Sequence, residues 1–180
     1  DLKNIGISTR IYDPGQYSIP SFRSILTSDM KRDLPEYISK YANKNIQTLN
    51  VSDIIEFNNM DTLLHAPYGQ YIFNQIKKDI VTDLELNQMK INTKSVATDY
   101  LNGIMINNDF DVFISVDNKM AGIAAAAHFP ALTIPMGYRD DNQPSNITFI
   151  ASSKNEKLLY NIAYQYEKQS KRRVPPKKYN

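Results

Sequence analysis

Two histidines, His65 and His128, are the only imidazoles in the 180 residues, and there is no cysteine. Thiolate nucleophiles, cysteine zinc sites and disulfide scaffolds are therefore excluded, and one chain cannot build a three-histidine zinc centre. A Ser/His/Asp triad would need His65 or His128 as its base. His128 falls between an alanine run and Phe129-Pro130, where a ring at a helix end is most simply a structural residue. His65 precedes Ala66-Pro67 at a helix–helix junction and reads the same way. Asp109, Asp111 and Asp117 flank one short apolar run and do not converge as a cation site needs. Asp140 and Asp141 belong to a turn. No GxxxxGK[ST] and no GxGxxG occurs, and the six glycines are scattered, so no phosphate cradle is expected. No serine lies in a nucleophile-elbow context, and the adjacent pair Ser152-Ser153 reads as a helix start. No metal and no cofactor is expected.

Lys and Arg number 21 against 19 Asp and Glu, a net charge of +2, with 42% hydrophobic residues. This balance gives no general argument for nucleic acid, and disorder is not expected. Lys168, Lys171, Arg172, Arg173, Lys177 and Lys178 make a basic tail, but only Tyr179 supplies an aromatic beside it, so a solvated helix end is expected rather than an RNA surface. The longest apolar stretch, from Met120 to Gly137, is interrupted by His128, Pro130 and Pro135 and does not read as a membrane span. No signal peptide is visible. A chain that opens at Asp1 without an initiator Met is expected to be a piece of a longer polypeptide. A cytoplasmic setting is expected.

The elements that would position any chemistry divide at about residue 108. Residues 5–12 partly alternate and suggest a short strand. Helices are expected over 22–41, kinked or split by Pro35, and from Val51, with Asn50 and Asp53 as a capping box. Two more follow, over 68–80, with Tyr68, Ile72, Phe73, Ile76 and Ile80 on one stripe, and over 82–106, stopped by Asn107 and Asn108. From Asp109 the character changes. Strand 111–116, a small-residue helix 119–128, strand 131–138 and strand 146–152 follow, the last two antiparallel. A final helix starts at Ser153, with Glu156 at capping-box spacing, and buries Leu158, Leu159, Ile162, Ala163 and Tyr166. The fold class is α/β: a mixed sheet with flanking helices, a helical first half (1–108), then β-α-β-β-α (109–180), read as one segment of a domain. The alanine-rich helix should be buried, because small side chains let it lie close to a neighbour.

At residues 111–176 the pattern becomes specific. DVFISVDNKMAGIAAAAHFPALTIPMGY and then NITFIASSKNEKLLYNIAYQYE resemble the C-terminal end of the amidase signature family. That family shows an Asp-initiated strand, a small-residue helix, a strand here written HFPALTIPMG, and a helix here written LLYNIAYQYE. Upstream, LNVSDIIEFNN and YGQ at 68–70 resemble further family segments, so the resemblance covers nearly the whole chain. Val116-Asp117 stands where the family has Pro-Thr, and His128-Phe129 where it has Gly followed by an aromatic.

The resemblance implies amide hydrolysis by a Ser, cis-Ser, Lys triad carried in the N-terminal half of the family's fold. No Gly-Gly-Ser-Ser-Gly run is present here, so no catalytic residue is assigned and the 180-residue chain alone is expected to be inactive. The resemblance also implies that the loop Asp117-Asn118-Lys119-Met120 borders the substrate pocket. Asp117, Asn118 and Met120 are the candidate substrate-binding residues, with Asn118 equally able to cap the alanine-rich helix. The short loop favours a stand-alone amidase acting on a small amide. The alternatives are a non-catalytic scaffold subunit and a subunit of a glutamyl-tRNA amidotransferase-like complex. The expected partners are the missing N-terminal half and, through open sheet edges, further copies of the chain.

Overall fold

Residues 1–175 are described by the structure, a computed structural model. They form two compact units, Ser21–Asn92 and a second built from Asp1–Pro20 with the chain from Thr93 onward. Pro176, Lys177, Lys178 and Tyr179 of the basic tail lie outside the described residues.

The helical unit contains α1 (Phe22–Tyr41), α2 (Val51–Met60), α3 (Thr62–His65), α4 (Tyr71–Lys78) and the first turns of α5 (Asp83–Asn108). The capping box forms as its residues require. Asn50 accepts from the Ser52 amide at 2.7 Å, and Asp53 accepts from the Asn50 amide at 3.0 Å. Val51, Ile55 and Ile76 make a small core with Met30, Leu34 and Phe73. Arg32 ties α1 to the segment before α5, donating to Asp83 at 2.9 Å and to the Val81 carbonyl at 2.6 Å.

Two expectations change here. Pro35 does not split α1, which runs unbroken to Tyr41. The turn after the proline is held by the Glu36–Lys40 pair, by Ala42 donating to the Ile38 carbonyl at 3.0 Å, and by Tyr37 against Tyr41. The stripe expected over 68–80 forms a shorter helix, of which only Ile76 is buried; Tyr68, Ile72 and Ile80 are exposed.

The second unit holds β1 (Phe113–Val116), α6 (Ala121–Ala127), β2 (Ala131–Tyr138), β3 (Pro144–Ile150) and α7 (Glu156–Ser170). The order β-α-β-β-α is as expected. The sheet order is β1-β3-β2, and both pairings are antiparallel. Among the described residues the sheet is therefore antiparallel throughout, and β1 and β2 run the same way only as strands separated by β3. The tight β2–β3 turn places β3 first, so the strands joined through α6 never share a ladder. Alternation sends Ile134, Ile147 and Phe149 to one face, where Leu159, Ala163 and Tyr166 of α7 cover them. The alanine-rich helix is buried through Ile123, Ala124, Ala126 and Ala127.

Three boundaries differ. Residues 5–12 join no ladder: a 3₁₀ turn at Lys3–Ile5 ends on Gly6 at φ 81°, and residues 7–12 form neither helix nor strand. α5 passes Asn107 and ends with Asn108, whose side chain donates back to the Ile104 carbonyl at 2.8 Å; Asp109, at φ 55°, breaks the helix. The Ser153–Glu156 capping box is absent. Lys154 at φ 69° turns the chain first, and Asn155 donates to the Ser152 hydroxyl at 2.7 Å instead.

Candidate functional site

The candidate loop is a turn between β1 and α6, and Asp117 fixes it. This residue sits at φ 53°, a left-handed conformation that Asp tolerates better than most residues. Its amide donates to the Asn146 carbonyl at 2.8 Å, and Oδ1 accepts from the Asn146 amide at 2.8 Å and the Ser145 hydroxyl at 3.2 Å. Arg139 pairs with Oδ2. The Asn146 amide above all holds the carboxyl below its ordinary range; desolvation, the next largest influence, opposes it, and Ser145 and Arg139 add to the lowering. Thr148, 1% exposed, donates to the Asp117 carbonyl at 2.5 Å. The carboxylate of Asp117 is thus committed to the hairpin of β2 and β3.

The other two candidates diverge from it. Met120 is buried and occupies the cap position of α6 without a side-chain hydrogen bond. Asn118 does not cap the helix with its side chain; its carbonyl accepts from the Ala121 amide at 3.3 Å, and the residue is exposed. Behind the turn, Tyr17 donates to the Lys119 carbonyl at 3.0 Å and lies 5.4 Å from the Tyr100 ring. Tyr100 donates to the Pro14 carbonyl at 2.9 Å, and burial first, then neighbouring Tyr17, raises its phenol. One loop thus carries an anchored Asp117, a buried Met120 and an outward Asn118.

Both histidines are structural in this chain. His65 stacks on Phe57 at 4.1 Å and its Nδ1 lies 2.9 Å from the Phe57 carbonyl. His128 terminates α6 at φ 58° and is exposed. Among the described residues, no group of three acidic or histidine side chains is placed to hold a metal ion. No helix among them is long and apolar enough to cross a membrane.

A feature that sequence reasoning missed is a groove of about 600 Å³ between residues 6–12 and 108–114. Val112, Ile114, Phe149, Leu158 and Ile162 form its apolar floor. At its rim, Arg10 donates to the Asn108 carbonyl at 2.9 Å and lies 4.7 Å above the Phe110 ring. The signal available in the sequence was the alternation over 5–12 beside the β-rich run 111–116, which local reading had no reason to bring together.

Protein-family models give no match to this chain. A probable amidase of Arabidopsis thaliana is 20% identical over 154 residues, covering 84% of this chain and 30% of that protein. The crystal structure of an amidase family protein from Bacillus anthracis matches with a TM-score of 0.78 and 29% identity, over 90% of this chain and 32% of the other. The peptide amidase from Stenotrophomonas maltophilia matches with a TM-score of 0.73 and 21% identity, over 86% of this chain and 34% of the other. The architecture is therefore that of a part of the amidase fold. The resemblance read from the HFPALTIPMG and LLYNIAYQYE segments is met by amidase relatives in sequence and in structure. The chain spans about a third of the length of the relatives it matches.

Proposed function

We propose that this chain is one part of an amidase that hydrolyses a carboxamide to a carboxylate and ammonia or an amine. The observation that carries the reading is the match of 90% of the chain to an amidase family protein at a TM-score of 0.78. Nucleophile and base belong, in this proposal, to polypeptide outside these 180 residues. The turn 117–120 is the share of the substrate wall that this chain supplies: Asp117 and Met120 hold its shape, and the exposed Asn118 amide meets a polar group of the substrate. The proposed setting is the cytoplasm, which suits a chain with no cysteine.

The test is ammonia release from a panel of aliphatic and aromatic amides, by the 180-residue chain and by the same chain with its upstream coding sequence. Activity in the longer protein alone supports the proposal. Activity in neither refutes it. Activity in the short chain refutes the assignment of the nucleophile to other polypeptide.

A further inference from the structure

The turn 117–120 is held firmly at its ends and lightly in its middle. At one end, Asn146 and Thr148 bond the backbone of Asp117, and Asn146, Ser145 and Arg139 hold its carboxylate. At the other, Met120 is buried and its carbonyl accepts from the Ala124 amide at 3.1 Å. Asn118 and Lys119 between them are both exposed. Among the described residues, two hydrogen bonds hold this middle. One is local, from the Ala121 amide to the Asn118 carbonyl at 3.3 Å. The other comes from 102 positions away, where the Tyr17 hydroxyl donates to the Lys119 carbonyl at 3.0 Å.

Tyr17 is itself a supported donor. It belongs to a stretch, residues 10–20, that forms neither helix nor strand. Among the described residues, that stretch makes no backbone-to-backbone hydrogen bond. Side chains of α5 take its carbonyls instead. Tyr100 donates to Pro14 at 2.9 Å, and buried Thr93 donates to Pro20 at 2.6 Å. Thr93 and Tyr100 lie about two helical turns apart on one face of α5. Tyr17 falls between the two anchored carbonyls, with its ring 5.4 Å from that of Tyr100. The helix thus orders the strap, and the strap delivers the hydroxyl to Lys119 already in place. That last bond is exposed, so water can replace it at little cost in stability. Its main consequence is for where the middle of the turn sits.

We propose that Tyr17 is a positioning residue: by holding the Lys119 carbonyl it fixes the exposed Asn118 amide where that amide meets the substrate. The proposal rests on the reading of turn 117–120 as part of an amidase substrate wall. Asp117 is committed to the hairpin and Met120 is buried, so neither reaches this middle.

Tyr17→Phe keeps the ring beside Tyr100 and removes only the hydroxyl. In the protein carrying its upstream coding sequence, it should raise KM for amides about 2–10-fold, the range of one neutral hydrogen bond, with kcat changed less than about twofold. Added to Asn118→Ala, it should raise KM no further, because Tyr17 acts through Asn118. Thr93→Val releases the other end of the strap; it should lower the melting temperature more than Tyr17→Phe does and leave KM unchanged. An unchanged KM in Tyr17→Phe overturns the proposal. So does an increase that multiplies with that of Asn118→Ala, or an equal increase in Thr93→Val. A second readout needs no catalysis. In the 180-residue chain, the NMR order parameters of the Asn118 and Lys119 amides should fall from about 0.85 to about 0.7 or below in Tyr17→Phe. Unchanged order overturns the proposal while leaving the amidase reading intact. Lost order in a longer protein that hydrolyses no amide refutes the amidase reading and leaves the hold of Tyr17 on the turn standing.

Discussion

Thr148→Val isolates the hydroxyl that holds the candidate loop in place. Thr148 is 1% exposed at the centre of β3; its hydroxyl donates to the Asp117 carbonyl at 2.5 Å and lies 2.8 Å from the Thr133 hydroxyl. Valine keeps the shape and removes both interactions. Each is worth about 0.5–1.5 kcal/mol net. Thr133 is exposed and regains a bond to water, so its share of the loss is small, whereas the Asp117 carbonyl loses a donor that came from the interior. The expected destabilisation is about 1–2 kcal/mol, or about 2–4 °C in melting temperature per kcal/mol for a chain of this size. Native-state exchange of the Phe149 and Ile150 amides reads the second unit without the helical one and is the assay of choice. Thr133→Val is the control and should cost less than half as much. A Thr148→Val protein as stable as the parent would refute the assignment of Thr148 as the anchor of the turn. So would a Thr133→Val effect of equal size.

Three further outcomes follow from the same geometry. The Asp117 carboxyl is held below its ordinary value of 3.8, chiefly by the Asn146 amide, so it stabilises the fold above that range and loses its contribution as pH falls through and below it; Asp117→Asn should lower stability at neutral pH and flatten the acid limb of a stability–pH curve, and an unchanged limb would refute the role. Phe149 is wholly buried beneath α7, and Phe149→Ala should cost about 3–5 kcal/mol, measured by urea unfolding followed by circular dichroism. Asn118 is exposed, so Asn118→Ala should change stability by no more than about 0.5 kcal/mol, while in the longer protein it should raise KM for amides more than it lowers kcat.

What the sequence made legible was local. The Asn50–Asp53 box, the small-residue helix and the antiparallel hairpin each follow from residues within a few positions of one another, and each is found. The failures share a cause. The Ser153–Glu156 spacing satisfies a capping rule, but Lys154 in a left-handed turn spends the same residues differently. Asn118 is a good cap by type, yet the left-handed Asp117 before it starts the turn early and leaves α6 to begin after Met120. The committed carboxylate of Asp117 depends on Asn146, Ser145 and Arg139, which lie 22 to 29 positions away, and no local pattern reports them.

The stripe over 68–80 is the instructive case, because its helix forms only over Tyr71–Lys78 and only Ile76 of its residues is buried. Apolar spacing records which face of a helix is meant to be covered, and it says nothing of where the cover comes from. Tyr68 and Ile80, which flank α4, are almost wholly exposed, as are Leu63 in α3 and Leu84 in α5, while Ile76 in α4 is buried. A chain of ordinary composition has no need to leave such residues in water when its own length can cover them. The relatives it matches are about three times as long. Under the proposal that this chain is one part of an amidase, the exposed members of the stripe are where the other part would lie.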